Sequence, residues 1–121
     1  MKYVVKVMTG DADGAGTDSA VAIIFNGSRG SSKLYLLDAG GNDFERASFC
    51  PFDINVEENI GRLESITIKT DDAGWLLDSI IVCRGDDHWL FVWGDWYRGN
   101  SDDGLKLVPK NSPPRNIEDT K

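Results

Sequence analysis

A chain of 121 residues has room for one domain of ordinary size, and its 40% apolar content is enough for a real core. Its formal charge of −7, from 20 acidic and 13 basic residues, argues against phosphate binding and excludes nucleic acid as a partner. The same charge repels an anionic membrane unless a cation intervenes.

Cys50 and Cys83 stand in no CxxC pair and read as free thiols of a reducing compartment. Met1 to Lys6 is too short and too alternating for a signal peptide. No apolar run approaches the roughly 20 residues that span a bilayer. The expectation is a soluble, cytoplasmic monomer, with peripheral membrane association open to it.

Period-2 alternation governs the chain. In Lys2 to Met8, Tyr3, Val5 and Val7 share one face while Lys2 and Lys6 share the other, which predicts a half-buried strand. Thr9 to Gly16, with three glycines and two aspartates, predicts a loop. Ser19 to Asn26 predicts a second strand, and Asn26-Gly27 with Arg29-Gly30 a hairpin turn. Ser32 to Leu37 reads as the third strand and Asp38 to Asp43 as a loop. The fourth strand is Phe49 to Val56, with Pro51 pointing to a sheet edge.

Leu63 to Thr70, Trp75 to Cys83, His88 to Trp93 and Gly104 to Val108 complete a set of eight strands. No stretch keeps a helical period with caps. Short strands separated by turn signals indicate an antiparallel sandwich or barrel. Pro109 to Lys121, with three prolines and Ile117 as its one large apolar residue, reads as a disordered tail or linker after a domain at 1–108.

Four motifs, in order, resemble the PLAT (lipoxygenase-homology) domain of animal lipoxygenases, clostridial α-toxin, polycystins and tandem lipoxygenase-homology proteins. They are Tyr3 to Gly10 with Ala15-Gly16-Thr17-Asp18; Asn42-Asp43-Phe44-Glu45-Arg46; Ile60-Gly61-Arg62-Leu63 with the Asp71-Asp72 loop; and Trp75 to Ile80 leading to Trp89 and Trp96. Ser101 to Leu105 is closest to the tandem-repeat branch. The resemblance implies an eight-stranded antiparallel β-sandwich of two four-stranded sheets with no catalytic activity of its own.

Asp11 to Asp18, Asp38 to Glu45 and Asp71-Asp72 concentrate hard oxygen donors, which suit calcium with its six to eight oxygen ligands. Ordinary turn chemistry also places Asp, Asn and Gly in loops. The resemblance implies that these loops meet and hold calcium. Gly16 and Thr17 would give carbonyls, and Asp18, Asn42, Asp43 and Glu45 side chains. Asp72, or else Asp71, would be the third-loop ligand, with the Ala73 carbonyl.

Trp75 reads as core, and Trp89 and Trp93 as sharing one strand face. Trp96 and Tyr97 are the candidates for an exposed aromatic tip in contact with a membrane. Membrane-inserting relatives carry a tryptophan in the first and third acidic loops. Here Ala12, Asp13 and Gly14 occupy the first loop, and the third has no aromatic.

No serine lies in a nucleophile-elbow pattern. The single histidine, His88, reads as an exposed strand-start residue, and no glycine run opens a helix for phosphate. The expected function is therefore calcium-assisted docking to a phospholipid membrane by a module that is not an enzyme. The alternative is a protein–protein interaction domain, calcium-tuned or calcium-free, within a larger protein.

Overall fold

The computed structural model describes residues 1–17, 20–37, 44–70, 74–97 and 104–110. Nine strands run through them in chain order. They are β1 (Lys2–Thr9), β2 (Val21–Gly27), β3 (Gly30–Ser31), β4 (Tyr35–Leu37), β5 (Phe49–Asn55), β6 (Leu63–Thr70), β7 (Trp75–Arg84), β8 (Asp87–Tyr97) and β9 (Leu105–Leu107). One sheet has the order β5-β1-β7-β8. The other has the order β3-β2-β6-β9, with β4 also paired to β2. Every pairing between named strands is antiparallel. The architecture is the expected all-β sandwich.

The count differs from eight because Gly30–Ser31, at the expected hairpin turn, forms the short strand β3, while the segment expected as the third strand, Ser32 to Leu37, is strand only over Tyr35–Leu37 (β4). Ser32 turns its hydroxyl inward to accept from the Phe25 N–H at 2.9 Å, which interrupts the ladder between β3 and β4. Both short pieces lie against β2, so the second sheet has five strands instead of four.

Alternation builds the core. Tyr3, Val5 and Val7 of β1 are at most 1% exposed and face Ile23 and Phe25 of β2 and Ile66 and Ile68 of β6, all at 0%. The Tyr3 and Phe25 rings meet with centroids 4.9 Å apart. Pro51 lies on β5, an edge strand, where its missing N–H breaks no ladder. Cys50 on β5 and Cys83 on β7 have β1 between their strands and form no disulfide.

Past the expected domain end at 108, the Lys110 N–H donates to the Leu90 carbonyl at 2.7 Å. The chain thus stays on the free edge of β8 through Lys110. Residues 111–121, the rest of the expected tail, lie outside the described residues.

Candidate functional site

The antiparallel register brings particular strand ends together. Thr9 pairs with Leu77, Trp75 with Tyr97, Thr70 with Val21, and Val21 with Leu37. The end of β1, the start of β2, the end of β4, the end of β6, the start of β7 and the end of β8 therefore share one pole. Segments 10–20, 38–48, 71–74 and 98–104 join these ends. They hold ten of the 20 acidic residues against two basic ones, Arg46 and Arg98, a balance of −8 where the whole chain has −7. The remainder of the molecule is nearly neutral.

Backbone hydrogen bonds stitch the first and second segments to each other and to β7. Thr17 N–H donates to the Phe44 carbonyl at 2.9 Å, Ala47 N–H to Gly10 at 3.0 Å and Thr9 N–H to Ser48 at 3.0 Å. Gly10 N–H donates to Leu76 at 2.8 Å, and Leu76 N–H to Ala15 at 2.9 Å. Gly16 is required by this packing: a β-carbon there would stand 2.8 Å from the Phe44 carbonyl oxygen and 3.1 Å from the Arg46 nitrogen.

Aromatic rings support the pole from beneath. Phe44 stacks on Phe52 at 5.5 Å and meets Trp75 edge-on at 5.4 Å. The Trp75 indole N–H donates to the Thr9 hydroxyl at 3.0 Å.

Of the nine residues expected around calcium, three are described. Gly16 is half-buried, Thr17 is buried and Glu45 is exposed, and the Thr17–Phe44 bridge brings them together. Asp18, Asn42, Asp43, Asp71, Asp72 and Ala73 lie outside the described residues. Among the described residues no group of three or more His, Cys, Asp or Glu side chains is placed to hold a metal. The described donors fit calcium by chemistry, since they are backbone carbonyls and a carboxylate, all oxygen. The only histidine, His88, is on the strand end at the opposite pole.

The role of Arg46 was not expected from sequence. Its guanidinium reaches Asp11 at 2.7 Å and Asp13 at 2.8 Å, tying the second segment to the acids of the first. All three side chains are at least half exposed, so the ties add little stability.

The expected aromatic tip needs correction. Trp96 and Tyr97 belong to β8 and not to a loop. Tyr97 is 5% exposed, because its register partner is the inward-facing Trp75 and its ring packs there at 6.5 Å. Tyr97 is core, and Trp96, half-buried, pairs with Leu76.

Trp89 and Trp93 also part company. Val92 pairs with Ser79 but Asp95 with Leu77, so β8 carries one extra residue there, the signature of a bulge. Gly94 takes φ +65°. Trp89 stays buried at 4% while Trp93 is 37% exposed, its indole N–H directed at the Trp96 carbonyl at 3.4 Å.

The opposite pole holds a second polar cluster. The Tyr35 hydroxyl donates to Glu58 at 2.6 Å and accepts from the Glu57 N–H at 3.0 Å, and Lys33 pairs with Glu57 at 3.2 Å. The Tyr35 hydroxyl bond holds the Glu58 carboxyl below its usual range. Desolvation, followed by the same bond, raises Tyr35. A cavity of about 250 Å³ lies beside them, lined by Met1, Tyr3 and residues 56–61.

A family model described as the PLAT/LH2 domain matches residues 3–109. Human lipoxygenase homology domain-containing protein 1 is 31% identical over 112 residues, covering 84% of this chain and 5% of that protein. A coral 8R-lipoxygenase, described as calcium-activated through a C2-like domain, superposes with a TM-score of 0.78 at 25% identity, over 99% of this chain and 19% of the enzyme. A calcium-dependent 11R-lipoxygenase superposes at 0.67 with 27% identity, over 90% of this chain and 17% of the enzyme. The chain spans a small fraction of each of these proteins. Nearly the whole sequence matches the family model, the sandwich matches the lipoxygenase domains, and the chain belongs to the PLAT/LH2 domain family.

Proposed function

We propose that the chain is a non-catalytic docking domain that takes up calcium at its acidic pole and meets a phospholipid surface there. The observation that carries this reading is the convergence at one pole of the strand ends flanking all three donor-rich segments. Gly16, Thr17 and Glu45 already lie side by side across the Thr17–Phe44 bridge. The two calcium-linked lipoxygenases give the reading its precedent.

Gly16 and Thr17 would offer carbonyls, and Asp18, Asn42, Asp43 and Glu45 side-chain oxygens, with Asp72 or Asp71 and the Ala73 carbonyl closing the set. Bound calcium supplies positive charge that lipid phosphates can ligate. The protein's own part is to hold the donor segments against one another and to keep neighbouring acids from closing the approach. Arg46 does the latter by occupying Asp11 and Asp13.

The second reading, a protein-interaction domain within a larger protein, is favoured by one observation: the outer face of the β5-β1-β7-β8 sheet exposes apolar side chains.

Calorimetric calcium titration tests the first reading, together with the melting temperature, which a ligand of the folded state must raise. Asp18→Ala with Asp43→Ala should abolish both heat and shift. A double variant that responds like wild type sinks the site assignment.

A further inference from the structure

On the outer face of the four-stranded sheet, register places Phe49 beside Met8, Met8 beside Ser79, and Ser79 beside Val92. These form a single cross-strand row. Phe49 is 49% exposed, Met8 37% and Val92 42%. The bulge adds Trp93 at the sheet edge, and the adjoining pair Leu76 and Trp96 continues the row to the acidic pole.

One step the other way, the row Pro51–Lys6–Ile81–Leu90 holds one charge, the Lys6 ammonium. The second sheet shows nothing comparable in its central strands. Asn26 donates there to Ser65 and Thr67, each at 3.1 Å, in a polar ladder.

Resting on the membrane-docking reading above, we propose that this shoulder row, and not a loop tip, is the apolar contact of the domain with a phospholipid bilayer, with Lys6 set to meet lipid phosphate. Three arguments select this occupant. The row adjoins the acidic pole, so one tilt brings both to the same surface. Successive rows on one face lie about 7 Å apart, so Phe49, Met8 and Val92 can enter the bilayer interface while Lys6 stays at headgroup depth, where its long stem can snorkel; the Ser79 hydroxyl within the row is occupied by the Asp78 carboxylate at 3.0 Å. Tryptophan at the bulge and at the pole suits the interface.

Size argues against a protein. The four side chains exposed by 37–49% make a patch within the roughly 300–600 Å² found on ordinary monomers. A stable protein interface needs about 800 Å² per partner. The segments at the pole offer no substitute anchor, since 10–17 and 71–74 contain no apolar residue larger than alanine.

The test uses vesicles of phosphatidylcholine and phosphatidylserine, with and without calcium, and the double variant Phe49→Ser, Trp93→Ser beside Lys6→Gln. Wild type should pellet with calcium, and brominated acyl chains should quench its tryptophan emission, because Trp75 and Trp89 are buried and Trp93 is not. The double variant should lose on the order of tenfold in partitioning and most of the quenching, while keeping its calcium-induced rise in Tm. Lys6→Gln should weaken binding to a smaller extent.

If wild type pellets and the double variant pellets equally without loss of quenching, the shoulder assignment is overturned and the calcium-docking reading stands. If wild type fails to pellet with calcium, the docking reading itself falls, and the shoulder with it. Self-association abolished by the double variant, without vesicle binding, would overturn the proposal in favour of a protein contact.

Discussion

The Trp75 indole N–H and the Thr9 hydroxyl meet at 3.0 Å with both residues at most 1% exposed. The bond joins the start of β7 to the end of β1 directly beneath the acidic pole. A buried donor left without its acceptor costs about 1–3 kcal/mol. Thr9→Val keeps the shape and removes the acceptor, so it should destabilise the domain by that amount in urea unfolding. Thr9→Ser, which restores an acceptor, should recover most of the loss.

Gly16→Ala tests the close approach of the first two segments. The added carbon would stand 2.8 Å from the Phe44 carbonyl, so one backbone must give way. Overpacking of this kind costs on the order of 1–3 kcal/mol. The calcium-dependent rise in Tm should shrink along with stability, because Gly16 and Thr17 move relative to Glu45. An alanine variant with an undiminished calcium response would show that the two segments need not be in register to bind.

Trp96 and Tyr97 are neighbours in sequence with opposite placements. Tyr97→Ala removes a buried ring packed on Trp75, and large buried aromatics cost about 3–5 kcal/mol on truncation. Trp96→Ala, at a half-buried position, should cost less than half as much. Chemical denaturation of the two variants side by side checks the assignment, and equal losses would contradict it.

The Tyr35–Glu58 pair predicts an acid response. The Glu58 carboxyl is held below its usual range by the Tyr35 hydroxyl, so its contribution is present above the ordinary glutamate pKa. That contribution fades as pH falls through the depressed folded value, since the unfolded chain takes its proton first. Glu58→Gln should therefore be less stable than wild type near neutrality, by a small margin at this exposed site. The difference should close as pH drops into the acid range. For Tyr35 the shift is upward. Its contribution holds below the ordinary tyrosine pKa and is lost as pH rises through the raised folded value. Melting curves across pH with wild type, Glu58→Gln and Tyr35→Phe would show either trend or its absence.

The sandwich was legible because burial follows period 2: Tyr3, Val5 and Val7 are buried, and Leu63 to Thr70 is a strand over the full span expected. Ser32 broke the reading of one strand, since a serine that points its hydroxyl at a backbone N–H looks in sequence like any strand serine. Tyr97 and Trp93 were misjudged for a related reason. A bulge adds a residue without leaving a compositional mark beyond Gly94, and it shifts which side chains face inward. The role of Arg46 depends on two segments that meet only in space. The shoulder row is likewise invisible along the chain, because Phe49, Met8 and Val92 come from three strands aligned by register.

Concentration of the net negative charge in the segments that join the strand ends at one pole gives the molecule an electric dipole along its strands. Beside an anionic surface such a body experiences a torque in addition to the repulsion of its net charge of −7, and it turns its charged end away. Each divalent ion taken up there would neutralise two charges and weaken the torque. Calcium uptake as proposed above would therefore govern which way the domain faces. Physiological salt screens the field within about 8 Å, so this reorientation belongs to the final approach and leaves long-range diffusion untouched.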